Sequence, residues 1–295
     1  MAATRATERP DRARSATSLD AREIAMTVHA APTTPEGLQV SRDGYTLVPV
    51  AAPAGTFAFR IDGPDGAPVR EYLPQHDKDL HLIVVRRDLS GFRHVHPVLG
   101  EDGVWTQELT FDRAGTYRVF TDFAPAATGT PLTLAADVHV AGDFRPVPLP
   151  APAPTAEVDG YTVTLAGEPA AGQGAHITLT VARDGRPVTD LEPYLAAFGH
   201  LVVLREGDLA YLHVHPGGAP GDGVTPAGPE IAFHTELPSV GTYRFFLDFK
   251  HGGVVRTAEF TVEADKPAAP AGGHGQSQAV DPHAGHHGHH GHHQG

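Results

Sequence analysis

The chain spells one unit twice. The segment "HLIVVRRDLSGFRHVHP" (81–97) aligns without a gap on "HLVVLREGDLAYLHVHP" (200–216). Around it, "DGYTLVPV" (43–50) matches "DGYTVTLA" (159–166), and "FAFRIDGPDGAPV" (57–69) matches "ITLTVARDGRPV" (177–188). "AGTYRVFTDF" (114–123) matches "VGTYRFFLDF" (240–249), and the order of the segments is the same in both halves. Self-similarity of this kind fixes the domain count before any other argument. The repeats span 40–142 and 156–264, joined by a Pro-rich, semi-rigid linker at 143–155. Outside them lie an N-terminal arm (1–39) and a C-terminal tail (265–295).

Each repeat is a series of short β-branched and aromatic runs punctuated by Gly, Pro and Asp. In the first they are "GYTLVPV", "TFAFRI", "HLIVV", "FRHVH", "WTQELTF", "TYRVFTDF" and "LAADVHV". About seven strands in about a hundred residues is the pattern of an immunoglobulin-like sandwich. The expected fold is therefore all-β: two tandem immunoglobulin-like β-sandwich domains with disordered N- and C-terminal segments. Tyr117 and Tyr243, each two residues after a glycine, fit the tyrosine corner of such sandwiches, where the hydroxyl bonds back to the chain. Val119 and Phe245 stand where antibody domains carry a cysteine, so these sandwiches form without that disulfide.

Composition narrows the chemistry. The chain has no cysteine and two methionines, both in the first 26 residues, against 20 histidines. Any metal site must therefore use imidazole and carboxylate, which excludes thiolate sites and disfavours Cu(I). A net charge of −13 without a basic patch argues against a nucleic-acid partner. The first 26 residues, rich in Arg, Ala and Ser/Thr, lack the apolar core of a secretory signal and read as a disordered arm. The tail "HGQSQAVDPHAGHHGHHGHHQG" (274–295) places eight histidines among Gly and Ala with nothing to bury. Such a tract binds Ni(II), Cu(II) or Zn(II) loosely.

The duplicated hairpin carries the sharper hypothesis. A two-residue turn at Glu206-Gly207 sets Arg205 against Asp208 and His200 opposite His213, with His215 on the same face as His213. Three imidazoles at cross-strand separations can reach one ion. His81, His94 and His96 repeat the spacing, and His76 adds a fourth donor in the first repeat alone, since Phe198 or Ala197 stands near that place in the second. A four-residue loop at Asp88–Gly91 would shift this register. Asp122 and Asp248 are further donors, although Arg118 and Arg244, four residues before them on the same strand face, suit them as ion-pair partners. The competing reading keeps every histidine as a packed structural residue of a protein-interaction module.

With "HLIVVRRDLSGFRHVHP", "YLAAFGHLVVLREGDLAYLHVHP" and "FFLDFKHGGVVRTAEFTV" in view, the chain resembles a group of uncharacterised bacterial tandem β-sandwich proteins, exported or membrane-associated. It is also distantly similar to YtkA-like and CopC-like copper domains, by fold type and histidines only. The resemblance implies an extracytoplasmic, metal-handling role, with a membrane metal transporter or another envelope protein as partner. Two enzyme patterns fail on residues. "HVHPVLGE" (94–101) resembles the cupin HxH-Glu motif, but Asp88 replaces the leading Gly and the second motif is absent. "HVH" also resembles the copper ligands of copper–zinc superoxide dismutase, whose zinc-loop histidines and disulfide are missing here. The expectation is a non-enzymatic divalent-metal protein, a carrier, buffer or resistance factor. It would hold Cu(II) first and Zn(II) second through one three-His site per domain.

Overall fold

The computed structural model describes residues 34–212 and 214–266, His215 by its backbone alone. The arm before residue 34, His213 and the tail from residue 267, with its eight histidines, lie outside the described residues.

Repeat one supplies β1 (Ser41–Arg42), β2 (Tyr45–Val50), β3 (Thr56–Asp62), β4 (Leu80–Arg86) and β5 (Arg93–Val95). It continues with β6 (Val98–Leu99), β7 (Trp105–Glu108), β8 (Gly115–Phe123) and β9 (Leu132–Val140). Repeat two supplies β10 (Thr155–Val158), β11 (Tyr161–Ala166), β12 (Gly174–Arg183), β13 (Arg186–Pro187) and β14 (Gly199–Arg205). After these come β15 (Tyr211–Leu212), β16 (His215–Pro216), β17 (Glu230–Glu236), β18 (Gly241–His251) and β19 (Val254–Ala264). Each of the seven strand segments read in the first repeat is present, and the chain forms two immunoglobulin-like sandwiches.

Each sandwich has an outer and an inner sheet. In repeat one these are β1-β2-β3-β7-β6 and β5-β4-β8-β9; in repeat two, β10-β11-β12-β17-β16, with β13 on β12, and β15-β14-β18-β19. Alternation along the strands fills the two interiors. Leu82, Val84, Tyr117 and Val119 meet Leu47, Phe59 and Ile61 in repeat one, and Leu201, Val203 and Phe245 meet Val163, Ile177 and Phe233 in repeat two. Tyr117 Oη donates to the Arg113 carbonyl and Tyr243 Oη to that of Ser239, both at 2.9 Å, so both tyrosine corners form.

The inner sheets are buried on their second faces too. Ile83, Val85, Leu89, Phe120 and Ala135 of repeat one join Val202, Leu204, Leu209, Tyr211 and Phe246 of repeat two in a third core. The sandwiches are thus stacked as four sheets, and the apolar runs "LIVV" and "LVVL" lack polar alternation because both faces are covered. The compact unit that begins at Pro35 contains both repeats. Phe92 stacks on Phe246 with centroids 4.0 Å apart, and Phe120 meets Tyr211 at 5.6 Å. Phe92 aligns with Tyr211 and Phe120 with Phe246, so the two contacts are one contact made twice about a pseudo-two-fold axis.

Two connecting segments are drawn into this seam. Residues 36–39, expected as arm, are tied in: Gly37 N donates to Thr133 O, Ala135 N to Gln39 O, and Tyr211 N to Glu36 O, joining both repeats. Gly37 has a φ of +68°, and a Cβ there would lie 2.7 Å from the Phe120 ring and 2.8 Å from Tyr211. The linker is anchored at its start rather than free. Val147 N donates to Asp88 at 2.8 Å, and Leu149 packs on the seam core.

Candidate metal centre

The duplicated hairpin is two residues out of the expected register. Val203 pairs with Leu212, and in repeat one Val84 pairs with Arg93. The cause is the turn: Arg205 N bonds to Ala210 O at 3.1 Å, closing a loop of four residues in place of the two-residue turn at Glu206-Gly207. Leu209 lies in that loop with φ 60° and is buried in the seam core, as is Leu89 with the same φ. Burying this side chain lengthens the loop. Because the offset is even, faces are preserved. His94 stands opposite Ile83 on the seam face, and His96, one residue past the end of β5, comes beside His81.

Three imidazole nitrogens converge there. His81 Nδ1 is 3.0 Å from His94 Nε2 and 3.1 Å from His96 Nε2. Four nitrogens at ~2.0–2.1 Å around one ion are about 3.3 Å apart in a tetrahedron, so the trio is close to ligand spacing. Their outward nitrogens are held by acceptors. His81 Nε2 donates to the Gln75 carbonyl and His94 Nδ1 to Asp248 Oδ2, both at 2.8 Å. A carbonyl and a carboxylate only accept, so those nitrogens carry the protons. The lone pairs of His81 Nδ1 and His94 Nε2 are then left facing each other, an arrangement that a cation between them relieves. A carboxylate or carbonyl behind the ring is also the usual support of a metal-bound histidine.

Burial keeps His81 and His96 in the ligating, neutral form. Burial, and then the repulsion that a protonated His94 would exert, push the His81 pKa down to about 4, and the same two causes push His96 down to about 3. Tyr194, whose ring centroid is 6.4 Å from that of His96, is raised to about 12 by burial and by Asp248. A cleft of about 350 Å3, lined in part by Asp77, Lys78, Asp79 and His96, opens beside the trio. The larger cavity, about 570 Å3 between the 63–71 loop and Pro125–Ala127, contains no histidine.

The centre draws on both repeats. His200 of repeat two lies 5.4 Å from His81 and 4.8 Å from His94 by ring centroids. His81 and His200 are equivalent residues and stack within 13° of parallel, so the pseudo-axis passes between them. His76 stands 5.3 Å from His200 and 6.2 Å from His81. Among the described residues the histidines of the seam gather in one cluster astride the axis; the second expected centre rests on His213 and the His215 side chain, which lie outside them. His213 lies outside the described residues, and the His215 backbone is paired with His234 of the outer sheet rather than within the β14 hairpin. In the turn before β14, Leu195 rather than Ala197 or Phe198 is the counterpart of His76: both have positive φ, 55° and 48°.

The expected ion pairs within β8 and β18 are absent among the described residues. Arg118 donates to Gly37 O at 2.7 Å and to Asp137 at 3.1 Å, while Arg244 reaches Glu259 and Thr261. Four residues along a twisted strand separate the groups too far, and each arginine finds an acceptor on the neighbouring strand or segment. Asp248 is thereby left to His94 and Thr257, and Asp122 accepts from Tyr211 Oη at 3.4 Å. Sequence reasoning held these aspartates as ligands or ion-pair partners. Their strand registers, His81 opposite Asp122 and His200 opposite Asp248, are what bring them to the cluster.

A family model described as "Domain of unknown function (DUF8832)" matches residues 33–142 and again 156–266. The chain belongs to the DUF8832 family. No curated protein matches it. Among solved structures, the chain is similar to bacterial integrin-binding invasin at 15% identity, over 75% of this chain and 39% of that one, with a TM-score of 0.21. Domains FN1–FN3 of chicken CNTN1 match at 10% identity over 79% and 69%, TM-score 0.23. Domains 4 and 5 of the S-layer protein SbsC match at 11% over 76% and 96%, TM-score 0.21. Likenesses this distant carry nothing about function, and nothing in them supports the expected similarity to YtkA-like or CopC-like copper domains. In this DUF8832 pair, a three-His group able to hold a metal ion is the feature that geometry singles out.

Proposed function

We propose that the protein binds one divalent metal ion in the seam between its repeats and acts, without catalysis, as a metal carrier or buffer. His81, His94 and His96 supply the nitrogen ligands. His200 is the nearest further donor from the other repeat, and His76 stands beside it. The observation that carries this reading is the convergence of three imidazole nitrogens, His81 Nδ1 lying 3.0 Å from His94 Nε2 and 3.1 Å from His96 Nε2. Donors of this kind with no sulfur suit Cu(II) and Zn(II), and Cu(II) stands higher in the affinity order. In the adjoining cleft Asp77 and Asp79 stand against a single Lys78, and the net negative lining favours entry of a cation. Delivery to a membrane transporter or another envelope protein is the use we assign to the bound ion.

The test is a calorimetric titration of the chain ended at Lys266, with Cu(II) and Zn(II) separately, because tail histidines bind metal regardless. One tight equivalent is expected, lost in the His94→Ala/His96→Ala variant with its circular dichroism unchanged. Equal binding by the variant would sink the proposal and leave the sandwiches as an interaction module with structural histidines.

A further inference from the structure

Two of the histidines outside the seam stand side by side. His176 on β12 and His234 on β17 are directly opposed in the antiparallel ladder of repeat two's outer sheet. Both are exposed, while their strand neighbours Ile177, Phe233 and Thr235 are buried, so the pair stands on the solvent face. The ring centroids are 5.0 Å apart with planes inclined by 56°.

What separates this pair from other histidines is the lack of any structural employment. His139 bonds to Thr116, and His251 is held between Tyr161 and Asp190. Among the described residues, no hydrogen bond or ion pair engages either ring of the His176–His234 pair, which have only each other. The sheet beneath is continuous, with seven consecutive partners between β12 and β17, so the two Cα positions are fixed. Room for the rings is provided by Gly174: a Cβ there would lie 2.9 Å from His234 Cε1. Glu236, exposed and in register with Gly174, places a carboxylate two residues further along the same face. Directly opposed side chains on such a ladder have Cβ atoms ~4.5–5.5 Å apart, within which two imidazoles can share one ion.

We propose that His176 and His234 form a second metal site, a solvent-open chelate of two imidazoles for Cu(II), Ni(II) or Zn(II), with water in the remaining positions. It is independent of the seam centre. Its openness makes it the weaker and faster-exchanging of the two, suited to capture rather than retention.

The experiment is an NMR titration of the full chain with Zn(II), followed by the ring C–H signals of His176 and His234. A metal buffer sets free Zn(II), so that the tail histidines do not deplete it. A chelate gives both rings one common midpoint, and His234→Ala raises the His176 midpoint about tenfold or more, because the second contact is made at high effective concentration. Separate midpoints, or a His176 midpoint unmoved by His234→Ala, would overturn the proposal. The His94→Ala/His96→Ala variant is expected to leave the pair's midpoint unchanged, so failure of the seam centre and failure of this site read separately.

Discussion

His94 takes its orientation from the opposite repeat, since its Nδ1 proton goes to Asp248 and both side chains are almost fully buried. Removing that acceptor frees the ring to turn and lets the proton move to Nε2, where it blocks the ligand position. Asp248→Ala is therefore expected to weaken metal affinity by about 10–100-fold, the range for loss of such supporting groups, with the fold retained. Unchanged affinity in a calorimetric titration would remove Asp248 from the site. Acid acts on the same cluster. His81 binds a proton near 6.5 when unfolded but at about 4 in the folded chain. Between those values the unfolded chain holds more protons, so stability falls as pH is lowered through that window. The loss amounts to roughly 3 kcal/mol from His81 alone. Urea midpoints of the metal-free protein at pH 7 and pH 4.5 should show it, and His81→Gln should flatten the difference; an equal slope in the variant would count against a buried, neutral His81. Residue identities such as His81, His94 and His96 were legible from their repetition. The Asp248–His94 bond was not, because it joins positions 154 apart through a packing that no local spacing encodes.

The elements were read more fully than their partners. Strands were visible because β-branched runs end at Gly, Pro or Asp, and the corner tyrosines were visible because each follows a glycine by two residues. Tyr117→Phe deletes the bond to the Arg113 carbonyl. The expected cost is about 0.5–1.5 kcal/mol. That lowers Tm by roughly 2–4 °C per kcal/mol for a chain of this size, and an unchanged Tm would show the corner to be inert. The hairpin loop was misread for a physical reason. Glu206-Gly207 is a sound turn dipeptide, yet burial of Leu209 at the seam outweighs it and takes two more residues into the loop. The clue lay in "LIVV" and "LVVL", where alternation fails: a strand without a polar face has something on both sides.

At the scale of the whole molecule, the repeats are joined by a core rather than by their linker. Each apolar side chain fully buried there contributes about 1.5–3 kcal/mol, and Phe246→Ala should cost roughly 3–5 kcal/mol by opening a cavity against Phe92. A protease site placed in the linker at 150–153 gives a direct check. After cleavage the halves should still migrate as one particle in size-exclusion chromatography, and two species of half mass would refute a seam of this strength. The pairing of Phe92 with Phe246 and of Tyr211 with Phe120 has the self-complementary form of a dimer of identical chains, made covalent. In such a dimer every substitution near the axis arrives in duplicate. Fusion lifts that restriction: His76 can stand on one side of the axis while Leu195 occupies the matching place on the other. The ligand set around a single ion can therefore be unequal on its two sides, and selection can adjust one flank of the centre while the other is held constant.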